Sequence, residues 1–202
     1  MQSNLKFDGT GGQLFWKLIG YGLLTIITCG IYGPWAMVNI LKWIADNTKV
    51  DGRPVEFKGT GGSLFVEMII IGLLTSITFG IYMAWGYCRL FRWIASNATV
   101  GGEPVSFGGT GGALFVKMLI VGLLSTITIG IYMPWGMCAL NKWFAENMKV
   151  GAAPVQFFGT GGSLFVQFIV IYFLTLITAG IYCAWGNVRL IKWTFENARV
   201  GA

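Results

Sequence analysis

Two sets of residues in this chain have types and spacings that could do chemistry. The first is a basic and tryptophan border, written Trp185-x-x-x-Arg189-x-x-Lys192-Trp193 near the end of the chain. The full set is Lys42, Arg89, Arg92, Lys142, Arg189 and Lys192 with Trp35, Trp43, Trp85, Trp93, Trp135, Trp143, Trp185 and Trp193. On an amphipathic helix, indoles favour the polar–apolar boundary and cations meet anionic headgroups, so this border predicts a lipid interface. An aromatic cage for a cationic ligand is the lesser alternative. The second set is Gly-Thr-Gly-Gly, which supplies Gly11, Gly12, Gly61, Gly62, Gly111, Gly112, Gly161 and Gly162. Their backbone N–H groups at a helix start could hold a phosphate, whereas a plain strand-to-helix hinge, the preferred reading, needs no ligand. The Lys and Ser/Thr of a nucleotide-binding loop do not follow, so a nucleotide is not expected.

A third set lies inside long apolar segments. Lys17, Glu67, Lys117 and Gln167 occupy one position in each and could pair adjacent helices, Lys17 with Glu67 first, or reach for the interface. The hydroxyl pairs Thr25/Thr28, Thr75/Thr78, Ser125/Thr128 and Thr175/Thr178 could line a pore. Bonding back to the preceding helical turn is the preferred reading. The parts for catalysis are missing: there is no histidine, carboxylates do not pair within a repeat, and no serine stands in a nucleophile-elbow context. Cys29, Cys88, Cys138 and Cys183 lie in apolar runs without metal-ligand spacing, so they read as buried free thiols. No enzyme activity, metal or cofactor is expected beyond bound phospholipid.

The elements that carry these residues recur. Gly9, Gly59, Gly109 and Gly159 stand 50 residues apart without insertion, dividing the chain into repeats 1–50, 51–100, 101–150 and 151–202 of one membrane domain. A unit of that size buries little surface alone and must share a core with its neighbours. Charged residues are 11% of the chain and hydrophobic ones 55%, with a mean hydropathy of +0.68. A soluble domain carries about 25% charged residues, so water is not the expected solvent for the whole chain. The net charge of +6 is spread over all repeats, which favours anionic lipid over nucleic acid as partner.

Each repeat reads as a short strand, a Gly-rich hinge, a long apolar helix and an amphipathic helix. The strand is an alternating run such as Leu5-Lys6-Phe7-Asp8, opened by Pro54, Pro104 or Pro154 in later copies. A Thr of the hinge caps the next helix, with Thr10-x-x-Gln13 as a capping box. In the second copy the apolar segment runs from Leu64 to Tyr82 and would reach about 28 Å as a helix, close to the ~30 Å hydrocarbon core. Gly30, Gly80, Gly130 and Gly180 are expected to end these helices, and Asn47, Asn97, Asn147 and Asn197 the amphipathic ones. The predicted fold class is thus membrane α with short β, pseudo-four-fold with a two-fold of two-fold alternation. Odd copies share Lys17/Lys117 and Pro34/Pro134, and even ones share Arg89/Arg189 and Ser63/Ser163.

Two topologies fit this pattern. Single crossings would alternate the orientation of successive copies, and hairpins would keep every strand on one side. Basic residues in every fourth segment favour hairpins. Met1-Gln2-Ser3-Asn4 leads straight into the first strand without a cleavable signal pattern, so insertion is expected to use the repeats. After Val200-Gly201 a further copy would continue with a strand, and the first strand supplies one. The repeats therefore close into a ring, or link molecules head to tail as filaments or tubes. The expected function is a non-enzymatic integral membrane protein that self-assembles through its strands and binds or shapes lipid. The alternative is a small transporter or channel built from inverted repeats, although no ionisable group stands in the middle of the long segments.

The paired motifs Phe-x-Gly-Thr-Gly-x-x-Leu-Phe and Thr-x-Gly-Ile-Tyr-x-x-Trp occur in all four copies. They resemble the YjgN-like family of bacterial inner-membrane proteins, a domain of unknown function. The resemblance implies a polytopic protein of the bacterial inner membrane, or of an assembly derived from a membrane. It offers no activity or site residues, and this chain is shorter and more regular than the family pattern.

Overall fold

The alternation of Leu5, Lys6 and Phe7 becomes strand β1 (Ser3–Phe7), with Phe7 buried and Lys6 exposed. In the computed structural model, which describes residues 3–201, β1 is followed by helices α1 (Gly11–Ile27) and α2 (Gly33–Asp46) and a second strand, β2 (Thr48–Val50). The start at Met1-Gln2 and the final Ala202 lie outside the described residues.

The same order recurs three times. It gives β3 (Arg53–Phe57), α3 (Gly61–Ile77), α4 (Met83–Ser96) and β4 (Ala98–Val100). Next come β5 (Glu103–Phe107), α5 (Gly111–Ile127), α6 (Met133–Glu146) and β6 (Met148–Val150). The last copy holds β7 (Ala153–Phe157), α7 (Gly161–Ile177), α8 (Cys183–Glu196) and β8 (Ala198–Val200). The sequence pattern predicts one strand in each repeat, whereas each has two.

The second strand is short, and its signal is the turn after it. Asp51 and Gly52 both have positive φ (49° and 76°), as do Gly101 and Gly102 (56° and 86°). That is what a two-residue hairpin turn following the twist of its strands requires. β2, β4 and β6 each pair forward through the turn that follows them as well as back to their own repeat, as in Val50↔Arg53 and Leu5↔Val50, and β8 pairs forward with β1.

All eight strands form one closed antiparallel barrel in sequence order, β1 to β8. β1 seals it against β8 through Ser3↔Val200 and Asn4↔Arg199. Every strand thus has both neighbours within the chain, and no edge is left among the described residues. The expected strand-to-strand link between molecules is corrected on that ground: the first strand fills its own barrel.

Inward positions are apolar and outward ones polar, as the period of two demands. Val55↔Val100, Val105↔Val150 and Val155↔Val200 pair across the interior, and Val50, Val100, Val150, Val155 and Val200 are buried together. On the outside, Lys6 stands opposite Lys49, Glu56 opposite Thr99, and Ser106 opposite Lys149. A cavity of about 250 Å³ lies in this interior between the strands and the helices, lined by Leu5, Ile44, Val100 and Phe195 among others. Its lining is almost wholly apolar, so it holds no path for water or ions.

Connectivity then decides where the helices go. The two-residue turns all lie on one rim of the barrel, so the four helical pairs all leave from the other. Successive copies therefore share one orientation, which excludes alternating single crossings and inverted repeats. Each long helix packs on the shorter helix of the preceding copy, α3 on α2, α5 on α4, α7 on α6 and α1 on α8.

Candidate membrane interface

The long helices bury their first turn and little else. Leu14, Leu64, Leu114 and Leu164 pack into the core beside the hinge. Beyond them the apolar side chains point outward: Ile77 is 72% exposed, and Leu23, Leu73, Leu123 and Phe173 are all more than half exposed. Residues 18–41, 68–88, 118–141 and 159–188 contain no Asp, Glu, Lys or Arg. A contiguous apolar surface of that extent is not left in water by a folded chain.

The helices stop sooner than the sequence suggested. α3 ends at Ile77 instead of running from Leu64 to Tyr82, because Phe79 enters the left-handed region at φ 50° and Gly80 follows at φ 90°. The Gly80 amide bonds Thr75 carbonyl oxygen at 2.8 Å and the Phe79 amide bonds that of Ser76 at 3.3 Å. This is the paired capping motif that closes helix C-termini, with Phe79 where glycine usually stands. Cys29, Ile129 and Ala179 occupy the same position at φ 49–51°. Phe79 and Ile129 are 97% and 93% exposed at the hairpin tips.

These bounds set a depth. Among the described residues no helix is long and apolar enough to cross a membrane. From Glu67 to Ile77 the uncharged part of α3 rises about 15 Å. That is roughly half of a ~30 Å hydrocarbon core, the depth of one leaflet.

The hydroxyls serve the tips. Thr78 Oγ1 donates to Leu74 carbonyl oxygen at 2.7 Å and accepts the Tyr82 amide at 2.9 Å, and Thr28, Thr128 and Thr178 repeat both bonds. They join the two helices of a hairpin and line no pore. Thr75, Ser125 and Thr175 hydroxyls are buried without a hydrogen-bond partner among the described residues, and nothing in the structure explains this.

The basic residues gather at the opposite end of each hairpin, near the barrel rim. Arg89 pairs with Glu67 across one hairpin, its Nη2 lying 3.4 Å from Glu67 Oε1, and Arg189 donates to Gln167 in the same way. The expected Lys17–Glu67 pair is therefore corrected: α1 and α3 are not packed neighbours, and Arg89 on α4 takes the carboxylate. Lys17 instead reaches toward the Tyr21 ring, 6.0 Å from its centroid. Lys117 makes no ion pair among the described residues. Lys142 meets Glu146 at 4.0 Å. Lys42, Arg92 and Arg189 are exposed, and Lys192 is half-buried.

The tryptophans divide into two groups. Trp35, Trp85, Trp135 and Trp185 remain over a third exposed, and each lies across the hinge of the next copy. A Cβ on Gly11, Gly61, Gly111 or Gly161 would stand 2.3–2.4 Å from the nearest indole carbon. Trp43, Trp143 and Trp193 are buried beneath their own hinges, edge-on to Phe7, Phe107 and Phe157. Their expected place at a lipid boundary is corrected: they are core residues, because Gly9, Gly109 and Gly159 leave room for the ring. Trp93 in the second copy is half-buried.

The hinge is thus first a packing device. Gly11, Gly61 and Gly111 are buried under indoles, while Gly12, Gly62, Gly112 and Gly162 have open space where a Cβ would be. Thr10 caps α1 reciprocally with Gln13, and Thr60 and Thr160 cap their helices through the Ser63 and Ser163 amides. Thr110, which faces Ala113 at that position, makes no such bond. Asn47, Asn97, Asn147 and Asn197 end the shorter helices by donating their side-chain amides to the carbonyls of Trp43, Trp93, Trp143 and Trp193. Of the thiols, Cys88 and Cys138 are buried, whereas Cys29 and Cys183 are exposed at hairpin tips, which corrects their expected burial.

Fold and surface together define a class of protein: a small closed strand barrel that carries, on one rim, four helical hairpins with uncharged tips. The chain belongs to a family of bacterial proteins of unknown function (DUF898), whose family model matches residues 2–72, 53–125 and 103–171. A stretch of 50 residues is 44% identical to the inner membrane protein YjgN of Salmonella typhimurium. The match covers 25% of this chain and 13% of that relative, so it has the length of one repeat. No solved structure matches the chain.

Proposed function

We propose that this chain is a non-enzymatic protein of the bacterial inner membrane that seats its hairpins in one leaflet and binds and shapes lipid there. The observation that carries the reading is the pairing of exposed, uncharged hairpin tips with a basic rim about 15 Å away. Cations at that height meet anionic headgroups while the tips lie in hydrocarbon. Four hairpins entering one leaflet from a single barrel add area to that leaflet alone, which favours curvature toward it. The inner-membrane name of the Salmonella relative agrees with this location. Association between copies has to use hairpin flanks or the outer barrel face, because the strands are paired within one chain.

The transporter alternative has less support. Its site would lie on the barrel axis, where valines close the interior, and its inverted repeats would need opposite orientations. The test is reconstitution into vesicles containing phosphatidylglycerol or phosphatidylcholine alone. The expected result is preferential binding to the anionic vesicles and their conversion to tubes or smaller vesicles under electron microscopy. Solute flux across vesicles of unchanged shape would overturn the reading.

A further inference from the structure

The four copies are not equal at the rim. Lys42, Arg92, Lys142 and Lys192 hold one position, and the residue a helical turn later is Asp46, Ser96, Glu146 or Glu196. Three copies thus place a carboxylate beside their cation, and Lys142 and Glu146 stand 4.0 Å apart. The second copy places a hydroxyl there instead.

The strand packed against each of these helices varies as well. β3 packs on α2, β5 on α4, β7 on α6 and β1 on α8. Their outward residues at equivalent positions are Glu56, Ser106, Gln156 and Lys6. The first copy therefore has Asp46 and Glu56 at these places, with Glu56 held by Lys58 at 3.4 Å, while the second sets Ser96 and Ser106 beside Arg92. Between α4 and β5 these residues line a groove of about 520 Å³, together with Glu67, Arg89 and Trp93. Arg92 makes no ion pair or hydrogen bond among the described residues, and the Glu67 charge is already taken by Arg89. Ser96 Oγ donates to Trp93 carbonyl oxygen at 3.0 Å and accepts from Asn97 Nδ2 at 3.5 Å, so its proton turns away from that carbonyl when it donates to an anion. Trp93 is half-buried where Trp43, Trp143 and Trp193 are buried.

We infer that this groove is a phosphate site, the one among the four copies that selects an anionic phospholipid headgroup. The inference rests on the one-leaflet reading above and names the ligand class of its rim. Two guanidiniums, one of them unpaired, supply charge-assisted donors to phosphate oxygens, with Ser96 and Ser106 hydroxyls beside them. In each of the other copies a carboxylate, Asp46, Glu146 or Glu196, stands one turn from the cation and repels the anion; Glu56, Gln156 and Lys6 replace Ser106 at the strand position, with Lys6 held by Asp8 at 3.2 Å.

The test uses the whole protein in detergent and native mass spectrometry with phosphatidylglycerol, phosphatidylcholine or inorganic phosphate. The expected result is one phosphatidylglycerol retained per chain. Ser96→Asp, Ser106→Glu and Arg92→Gln should each weaken retention about tenfold, a loss of about 1.4 kcal/mol. Lys49→Gln, on the outer barrel face, should leave retention unchanged. A chain carrying both Asp46→Ser and Glu56→Ser should retain a second lipid. Competition by inorganic phosphate alone would identify free phosphate as a ligand of the same site, and no competition would identify the lipid. Equal retention by Arg92→Gln and Lys49→Gln in folded protein would overturn the groove. Failure of the unmodified protein to enter vesicles at all would instead overturn the one-leaflet reading.

Discussion

The indole of Trp85 covers Gly111 so closely that a Cβ there would stand 2.3 Å from Trp85 Cδ1. The ring also meets Phe115, 5.7 Å between centroids, so α4 of one copy is latched to α5 of the next. The glycine is required by this approach of side chain to backbone. Gly111→Ala should therefore destabilise the fold by about 1–3 kcal/mol through overpacking. Gly112→Ala, with open space at its Cβ, should be neutral or stabilise by about 0.4–1 kcal/mol. Thermal unfolding of both variants in one detergent checks the difference. Equal melting temperatures would show that the latch does not hold the copies together.

That latch also marks how far the sequence could be read. Repeat length, hinge, cap and the order of the two helices follow from glycine spacing and periodicity, because those signals are local. The burial of Trp43, Trp143 and Trp193 is not legible in this way, since a tryptophan near a basic residue looks alike at an interface and in a core. Which tryptophans are buried depends on packing between elements 30 or more positions apart, as in Trp43 Nε1 donating to Gln13 at 3.3 Å. The second strand has no periodic signal in its three residues, and only Val50-Asp51-Gly52-Arg53, a hairpin-turn sequence, marks it. Barrel closure is a property of all eight strands at once and has no local signature.

The tip thiols offer a direct measure of depth. Cys29 and Cys183 are exposed at the ends of two hairpins, and Cys88 and Cys138 are buried in protein. In vesicles, a membrane-impermeant maleimide added to either face should leave Cys29 and Cys183 unmodified, and detergent should make both react. Cysteines placed at Asp8, Lys58, Gly108 and Phe158 should all react from the same face, since these residues share the barrel rim. Labelling of Cys29 from the face opposite to Asp8→Cys would show that the hairpins pass through the bilayer.

The Glu67–Arg89 bond makes a second claim about assignment. Gln167 accepts from Arg189 at the equivalent place, so where an arginine faces it, in the second and fourth copies, the position needs an acceptor and not a charge. Glu67→Gln should accordingly change stability by less than about 1 kcal/mol, the scale of a part-exposed ion pair. Glu67→Leu should cost more, leaving Arg89 without its acceptor. Lys17→Leu should leave the Glu67–Arg89 pair undisturbed. A double-mutant cycle on Glu67 and Arg89, with Lys17 and Glu67 as the comparison, separates these effects. Coupling between Lys17 and Glu67 would restore the pairing that the sequence suggested.

Phe79 and Ile129 hold the left-handed conformation that glycine adopts without strain, at φ 50° and 51°. Such a residue costs about 1–2 kcal/mol in the folded chain. Phe79→Gly should therefore raise the melting temperature in detergent. In vesicles the same change removes an aromatic side chain from hydrocarbon, and burial of a phenylalanine contributes about 1.5–3 kcal/mol. Membrane affinity should fall by roughly ten- to a hundredfold. Ala179→Gly separates the two effects, since it relieves the same backbone strain and removes only a methyl group. It should stabilise the fold and leave binding nearly unchanged. Opposite signs for Phe79→Gly in the two assays would mean that the strain is kept for the sake of what the side chain meets outside the protein. If Phe79→Gly bound vesicles as tightly as the unmodified chain, the hairpin tip would not reach hydrocarbon.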